Sequence, residues 1–269
     1  MRRQAKVSKV AAGLHRLDLG GGNAYLIEDG RELALIDTGF PGQSGAILSA
    51  VEGLGRPPTD LRHIVLTHAH PDHVGSAAAL VTATGARTYM HRLDVPVAEG
   101  RTENRPLEPA PDPLMRVLFV LLSLSKPDVD PVRIDAPVDD GDVLPIAGGL
   151  TVVHAPGHCA GQVALHWRSR GVLFVADACA NLLGLRHPLG YEDRARGLAS
   201  LRRLADLDFA TACFGHGRPI VGRADDGSAV DGTPPLPSVR PPEKLWTSKA
   251  STPWSPVAAS ESGLRSRGR

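Results

Sequence analysis

The run Thr67-His68-Ala69-His70-Pro71-Asp72-His73-Val74-Gly75 places three imidazoles and a carboxylate within six positions. It follows His63-Ile64-Val65-Leu66, an apolar stretch that reads as a buried strand. Side chains alternate along extended backbone, so His68 and His70 leave the strand end on one side. Asp72 and His73 then stand where a helix begins and face a second, neighbouring position. A polar turn capped by Asp72 is the plain alternative, but clustered imidazoles have little use besides holding a metal. In a chain with 11 His, the pattern H-x-H-x-D-H arises by chance roughly once in a thousand such sequences.

A metal site needs further ligands, and three later segments offer them at the ends of apolar runs. Thr151-Val152-Val153 leads to Pro156-Gly157-His158, Val172-Leu173-Phe174-Val175 to Ala176-Asp177, and Ala210 to Phe214 to Gly215-His216-Gly217. Taken singly, each is an ordinary turn residue or cap. In this order they read as one metal centre. Helical spacing marks Gly42–Val51, His73–Thr84 and Glu192–Leu207, and Glu28-Asp29-Gly30-Arg31 suits a hairpin turn between Asn23–Glu28 and Leu33–Ile36. Strands ending in ligands, with helices between them, imply an α/β fold of sheets covered by helices, with the site at the strand ends.

Residues 1–222 read as one folded unit carrying 23 basic and 24 acidic groups. That balance gives no electrostatic grip on nucleic acid or an anionic membrane. Leu114–Leu124 is the longest apolar stretch, too short to span a bilayer and interrupted by Arg116. It lies in a proline-rich excursion, 100–145, expected as an insertion over the site. The segment suits packing on the core, contact with a second copy in a homodimer, or a wall for an acyl chain. Three Cys and no apolar leader after the basic N-terminus point to a cytoplasmic chain without a disulfide framework. Residues 223–269 hold seven Pro, eight Ser and four Gly and read as a disordered tail, with Trp246 and Trp254 as its candidate docking groups.

Five ordered motifs carry a resemblance to the metallo-β-lactamase-fold superfamily, and within it to the glyoxalase II-like hydrolases. They are Leu35-Ile36-Asp37-Thr38-Gly39, the His68–His73 cluster, Pro156-Gly157-His158, Val175-Ala176-Asp177 and Gly215-His216-Gly217. The resemblance implies a four-layer αββα sandwich with metals at one edge of the paired sheets. It implies one metal on His68, His70 and His158, a second on Asp72, His73 and His216, and Asp177 bridging them. Asp37 would support the ligand loop from outside. The β-lactam-hydrolysing members lack the bridging Asp, so Asp177 argues against antibiotic hydrolysis. Glutathione binding in glyoxalase II rests partly on a helical C-terminal region, and residues 223–269 do not carry that pattern.

Five His and two Asp make an all-N/O donor set that suits two divalent ions, zinc first, with iron or manganese compatible. A carboxylate shared by two cations keeps them close, and water between them ionises near neutrality. The expected reaction is hydrolysis of an ester-like bond (thioester, lactone or carboxylic ester) in a small-molecule substrate, with Asp72 and Asp177 as the catalytic carboxylates. The alternative is a mononuclear iron persulfide dioxygenase-like oxidoreductase, and a nuclease ranks lower. Tyr191 is a candidate for hydrogen-bonding a substrate carbonyl. Cys159 and Cys179 read as small buried residues, and His154 as a supporting group.

Overall fold

The computed structural model describes residues 5–122 and 127–222. The segment 223–269, with its two Trp, lies outside the described residues.

The chain opens as an antiparallel meander of β1 (Lys6–Ala11), β2 (Leu14–Asp18), β3 (Asn23–Asp29) and β4 (Glu32–Ile36). Asp29 pairs with Glu32 across the Gly30-Arg31 turn, so the hairpin forms where the sequence puts it. Helix α1 (Ser44–Gly53) leads to β5 (Leu61–Val65), and α2 (Pro71–Val74) and α3 (Ala77–Thr84) lead to β6 (Arg87–His91). Both strands add in parallel. Helix α4 (Val95–Ala98), the short β7 (Glu108–Pro109) and helix α5 (Pro113–Leu122) precede β8 (Ala136–Val138), which closes this sheet beside β6.

The second sheet begins with β9 (Val143–Leu144), β10 (Leu150–His154), β11 (Val163–Trp167) and β12 (Val172–Ala176). Three two-residue strands follow outside it: β13 (Ala180–Asn181), β14 (Leu185–Arg186) and β15 (Gly190–Tyr191), the last paired with β7. Helix α6 (Arg194–Ala205) then returns the chain to β16 (Thr211–Phe214) and β17 (Ile220–Val221), giving the order β17-β16-β12-β11-β10-β9.

Neighbouring residues on one strand feed different cores, which is why the strands read as continuous apolar runs. Leu26 and Leu35 pack outward with Ile47 and Val51 of α1 and Leu80 of α3. Ile27, Ile36 and Val65 point inward and meet Val152, Leu165 and Phe174 of the second sheet. Val153, Leu173 and Val175 face Leu201 and Leu204 of α6. The result is the expected helix–sheet–sheet–helix sandwich.

Two expectations need correction. The helix expected over His73–Thr84 is two helices broken at Gly75-Ser76. The Ser76 hydroxyl donates to Phe40 O at 2.7 Å and accepts from Gln43 N at 2.9 Å, so the break ties the loop after β4 to the ligand turn. The 100–145 excursion is only partly an insertion, because β8 and β9 within it belong to the two sheets. Its apolar segment, α5, is divided between two faces. Met115 is buried and Leu118 packs with it near Tyr191, whereas Val117, Val120 and Leu121 are exposed. Among the described residues no helix is long and apolar enough to cross a membrane.

Candidate metal centre

The site forms where chain segments leave the ends of β4, β5, β10, β12 and β16. Asp37 ends β4 in a left-handed conformation (φ 59°), unusual for a residue with a Cβ. This turns its carboxylate back beneath the next strand end. Thr67 N donates to Oδ1 of that carboxylate and the Thr67 hydroxyl to Oδ2, at 2.8 Å each, and His73 Nδ1 lies 2.8 Å from the same Oδ2. Because the Thr67 hydroxyl donates to Asp37, it accepts from His68 Nδ1 at 3.1 Å. One buried carboxylate therefore orients two imidazoles, His73 directly and His68 through Thr67.

The other rings are fixed by main chain. His158 Nδ1 donates to Gly190 O and His216 Nδ1 to Gly21 O, each at 2.8 Å. Asp177 follows Ala176, a second left-handed residue (φ 48°) at a register shift between β12 and β16. Its Oδ1 lies where a side chain on Gly215 would stand, so glycine there is required for the His216 loop to come this close.

These bonds settle which nitrogen each ring offers. With Nδ1–H engaged outward, neutral His68, His73, His158 and His216 each present a bare Nε2 to one shared space. His70 offers Nδ1 instead, 2.9 Å from His158 Nε2. His73 Nε2 stands 3.5 Å from Asp177 Oδ1, and His158 Nε2 3.6 Å from Asp177 Oδ2. His216 Nε2 is 3.1 Å from Asp177 and 3.2 Å from Asp72. The seven side chains fall into three overlapping triads: His68, His70, His158; His68, His73, Asp177; and Asp72, His73, His216.

Four atoms in this space are buried without a hydrogen-bond partner: His68 Nε2, His73 Nε2, His216 Nε2 and Asp177 Oδ1. Buried polar atoms without partners are costly, and their convergence is what a cation would satisfy. The donor set therefore fits the divalent metal implied by the sequence.

The cluster is electrically divided. Burial, reinforced by neighbouring imidazoles, holds His68 well below the usual histidine range and brings His70 down to about 3. Burial likewise lowers His158. Burial also opposes charge on His73 and His216, but the carboxylates outweigh it. Asp37, Asp177 and Asp72 raise His73, and Asp177 and Asp72 raise His216 to about 10. For Asp72 and Asp177 burial is again opposed and outweighed, by His73 and His216, and both stay below the usual carboxylate range. Without a metal, protons on His73 and His216 compensate the two acids.

Tyr191 directly follows Gly190, whose carbonyl orients His158. Its ring is buried in a small core with Ala110, Met115 and Ala180, and its hydroxyl is 2.7 Å from His187 Nδ1. His154 stacks on His91, ring centroids 4.0 Å apart, and among the described residues belongs to no metal-capable triad. Cys159 and Cys179 are buried, and among the described residues neither belongs to a metal-capable triad.

Sequence reasoning missed three supporting residues. The buried Asp94 accepts from Ala69 N, between His68 and His70, at 2.9 Å and from the Cys159 thiol, next to His158, at 3.3 Å. Asn23 donates to Phe214 O and Gly217 O on either side of His216, and the Tyr25 hydroxyl also donates to Phe214 O. Their partners are far away in sequence, and no local pattern marks them.

Residues 17–216 match the family described as the metallo-beta-lactamase superfamily. The chain belongs to that superfamily. It is 27% identical over 233 residues to a probable metallo-hydrolase, YflN of Bacillus subtilis, covering 80% of this chain and 88% of that protein. It is 31% identical to a hydroxyacylglutathione hydrolase of Cereibacter sphaeroides over 72% of this chain, and spans 61% of that protein's length. A solved structure of a metallo-beta-lactamase family protein from Thermus thermophilus superposes with a TM-score of 0.60 at 27% identity, over 79% of this chain and 76% of the other.

Proposed function

We propose that this superfamily member is a dinuclear metal-dependent hydrolase of ester-like bonds in small molecules. In this reading His68, His70 and His158 hold one cation and Asp72, His73 and His216 the other. Asp177 lies within 3.6 Å of imidazoles from both sets, and this is the observation that carries the proposal. Zinc is the first choice for an all-N/O donor set, with iron or manganese compatible. When bound, such a pair supplies Lewis acidity and water that ionises near neutral pH.

The protein's own groups do the rest. Asp37 and the Gly190 and Gly21 carbonyls keep the Nδ1 protons outward, so the rings need no reorganisation when the site fills. Asp72 is the less buried of the two carboxylates and lines the cavity beside the cluster. There it takes up a proton from water and returns it to the leaving oxygen or sulfur. Names borne by relatives, a metallo-hydrolase and a hydroxyacylglutathione hydrolase, support hydrolysis and leave the acyl group open.

The test is elemental analysis of protein purified without added metal, followed by a screen of thioesters and lactones. Close to two equivalents of zinc or manganese with turnover supports the proposal. About one equivalent of iron, with oxygen consumption on a persulfide, would replace it with the mononuclear dioxygenase reading.

A further inference from the structure

The cavity beside the cluster has two unlike ends. It encloses about 330 Å³, near the lower bound for small-molecule sites. His70, Asp72, His158 and Asp177 form its floor, whereas Phe40, Leu107, Phe119 and Leu189 form the walls with Leu122 and the prolines. No Lys or Arg lines it among the described residues. Helix α5 lends it Phe119 and, from its exposed last residue, Leu122, whereas Val117 and Val120 stand on the exterior. A second cavity of about 720 Å³ adjoins it, sharing His70, Leu107 and Phe119 and reaching Asn104 and Arg105.

We propose that the apolar cavity seats an uncharged, apolar acyl group, with the scissile carbonyl at the His/Asp floor and the leaving group along the Asn104–Arg105 trough. This rests on the hydrolase reading above. A charged acyl group would lose its hydration among Phe and Leu side chains without a partner, which is costly. The reaction breaks the acyl C–S or C–O bond and forms a C–O bond from water. The water proton goes to the departing sulfur or oxygen, and nothing is oxidised or reduced.

The experiment pairs turnover with binding. N-acetylcysteamine thioesters of octanoic and succinic acid share a leaving group, and the octanoyl ester is expected to have the higher kcat/KM by at least about tenfold. Octanamide, titrated calorimetrically into the chelator-treated full chain, is expected to bind, and Leu189→Arg to weaken it about tenfold or more. Phe119→Ala, a milder change, is expected to shift the preference toward longer chains. Preference for succinyl, no octanamide binding by the parent chain, or binding untouched by both substitutions overturns the proposal. Octanamide binding lost in Leu189→Arg, without hydrolysis of any ester, upholds the acyl seat and overturns the hydrolase reading.

A separate observation carries a second inference. Asp94 ties together the two loops bearing His68, His70 and His158. It accepts from Ala69 N and the Cys159 thiol, and its carboxylate lies where a side chain on Gly161 would stand. Asn104 holds the next peptide, between Ala69 and His70, donating to Ala69 O at 3.0 Å. We infer that Asp94 is the positioning residue for the His68/His70/His158 subsite, as Asp37 is for His73. Ala69 N and the Cys159 thiol share Oδ2, and the carboxylate also accepts from Gly161 N, so Asp94→Asn keeps the shape but turns an amide donor toward either that pair or Gly161 N. Zinc affinity at that subsite is expected to fall about 10–100-fold, read as site-resolved occupancy by anomalous scattering from crystals in limiting zinc. Equal loss at both subsites, or no loss, overturns the assignment. Asp94→Ser, which retains one acceptor, is expected to restore part of the occupancy, and its failure to exceed Asp94→Ala would count against the role.

Discussion

His73 Nδ1 lies 2.8 Å from Asp37 Oδ2, and both side chains are almost fully buried. The same carboxylate holds the Thr67 hydroxyl that accepts from His68, so a single group outside the ligand set governs two rings. Asp37→Asn offers an amide where two donors already point. Metal affinity is expected to drop about 10–100-fold, with turnover partly recovered at high metal concentration. Unchanged affinity in a chelator competition would remove Asp37 from the positioning role.

His68→Ala and Asp177→Ala take away, respectively, a member of two triads and the carboxylate between them. Turnover is expected to be abolished and metal content to fall below that of the parent chain. Parental activity at full metal loading in either variant would contradict the ligand assignment.

The two kinds of imidazole give chelator-treated protein opposite pH slopes. His216 is raised from 6.5 to about 10, so its contribution is complete below pH 6.5 and is lost as pH rises through 10. His70 is lowered from 6.5 to about 3, so its contribution is complete above pH 6.5 and is lost as pH falls toward 3. Urea midpoints of metal-free protein are expected to peak near pH 6.5. Saturating zinc should remove the alkaline decline, because cations displace those protons. A midpoint that rises between pH 7 and 10 without metal would be the contrary result.

Asn23 joins the first sheet to the His216 loop, donating to Phe214 O at 2.9 Å and Gly217 O at 2.7 Å. Asn23→Ala leaves carbonyls without these donors, and about 1–3 kcal/mol of stability is expected to be lost. Chemical denaturation measures it; a change under a few tenths of a kcal/mol would mean that water replaces both bonds.

All three thiols are buried, and burial pushes Cys179 up to about 12 and Cys159 and Cys213 upward as well. None is expected to react with an aromatic disulfide reagent in native buffer, and all three in guanidinium. Rapid native labelling of Cys159 would show that the Asp94 contact opens readily.

Much of this protein is legible in its sequence because the signals are local. Apolar runs mark the strands, and the turns that follow them, with the start of α2, carry the seven side chains the fold gathers. The β3–β4 turn is local too. The break at Gly75-Ser76 is not, since Ser76 is engaged by Phe40 and Gln43 from another segment. Tyr191 looks available in sequence, yet its hydroxyl is held by His187 and its ring by α5.

Sequence by itself determined the donors: which side chains can bind a cation, and that they stand in turns beyond strands or at the start of a helix. Tertiary structure decided which nitrogen of each ring faces inward, because those choices belong to Asp37, Gly190 and Gly21. His158 meets Gly190 across 32 positions and His216 meets Gly21 across 195. Alternation and helical spacing reach only a few residues along the chain. A hydrogen bond between distant segments exists only once two sheets have packed and fixed the distance between their ends.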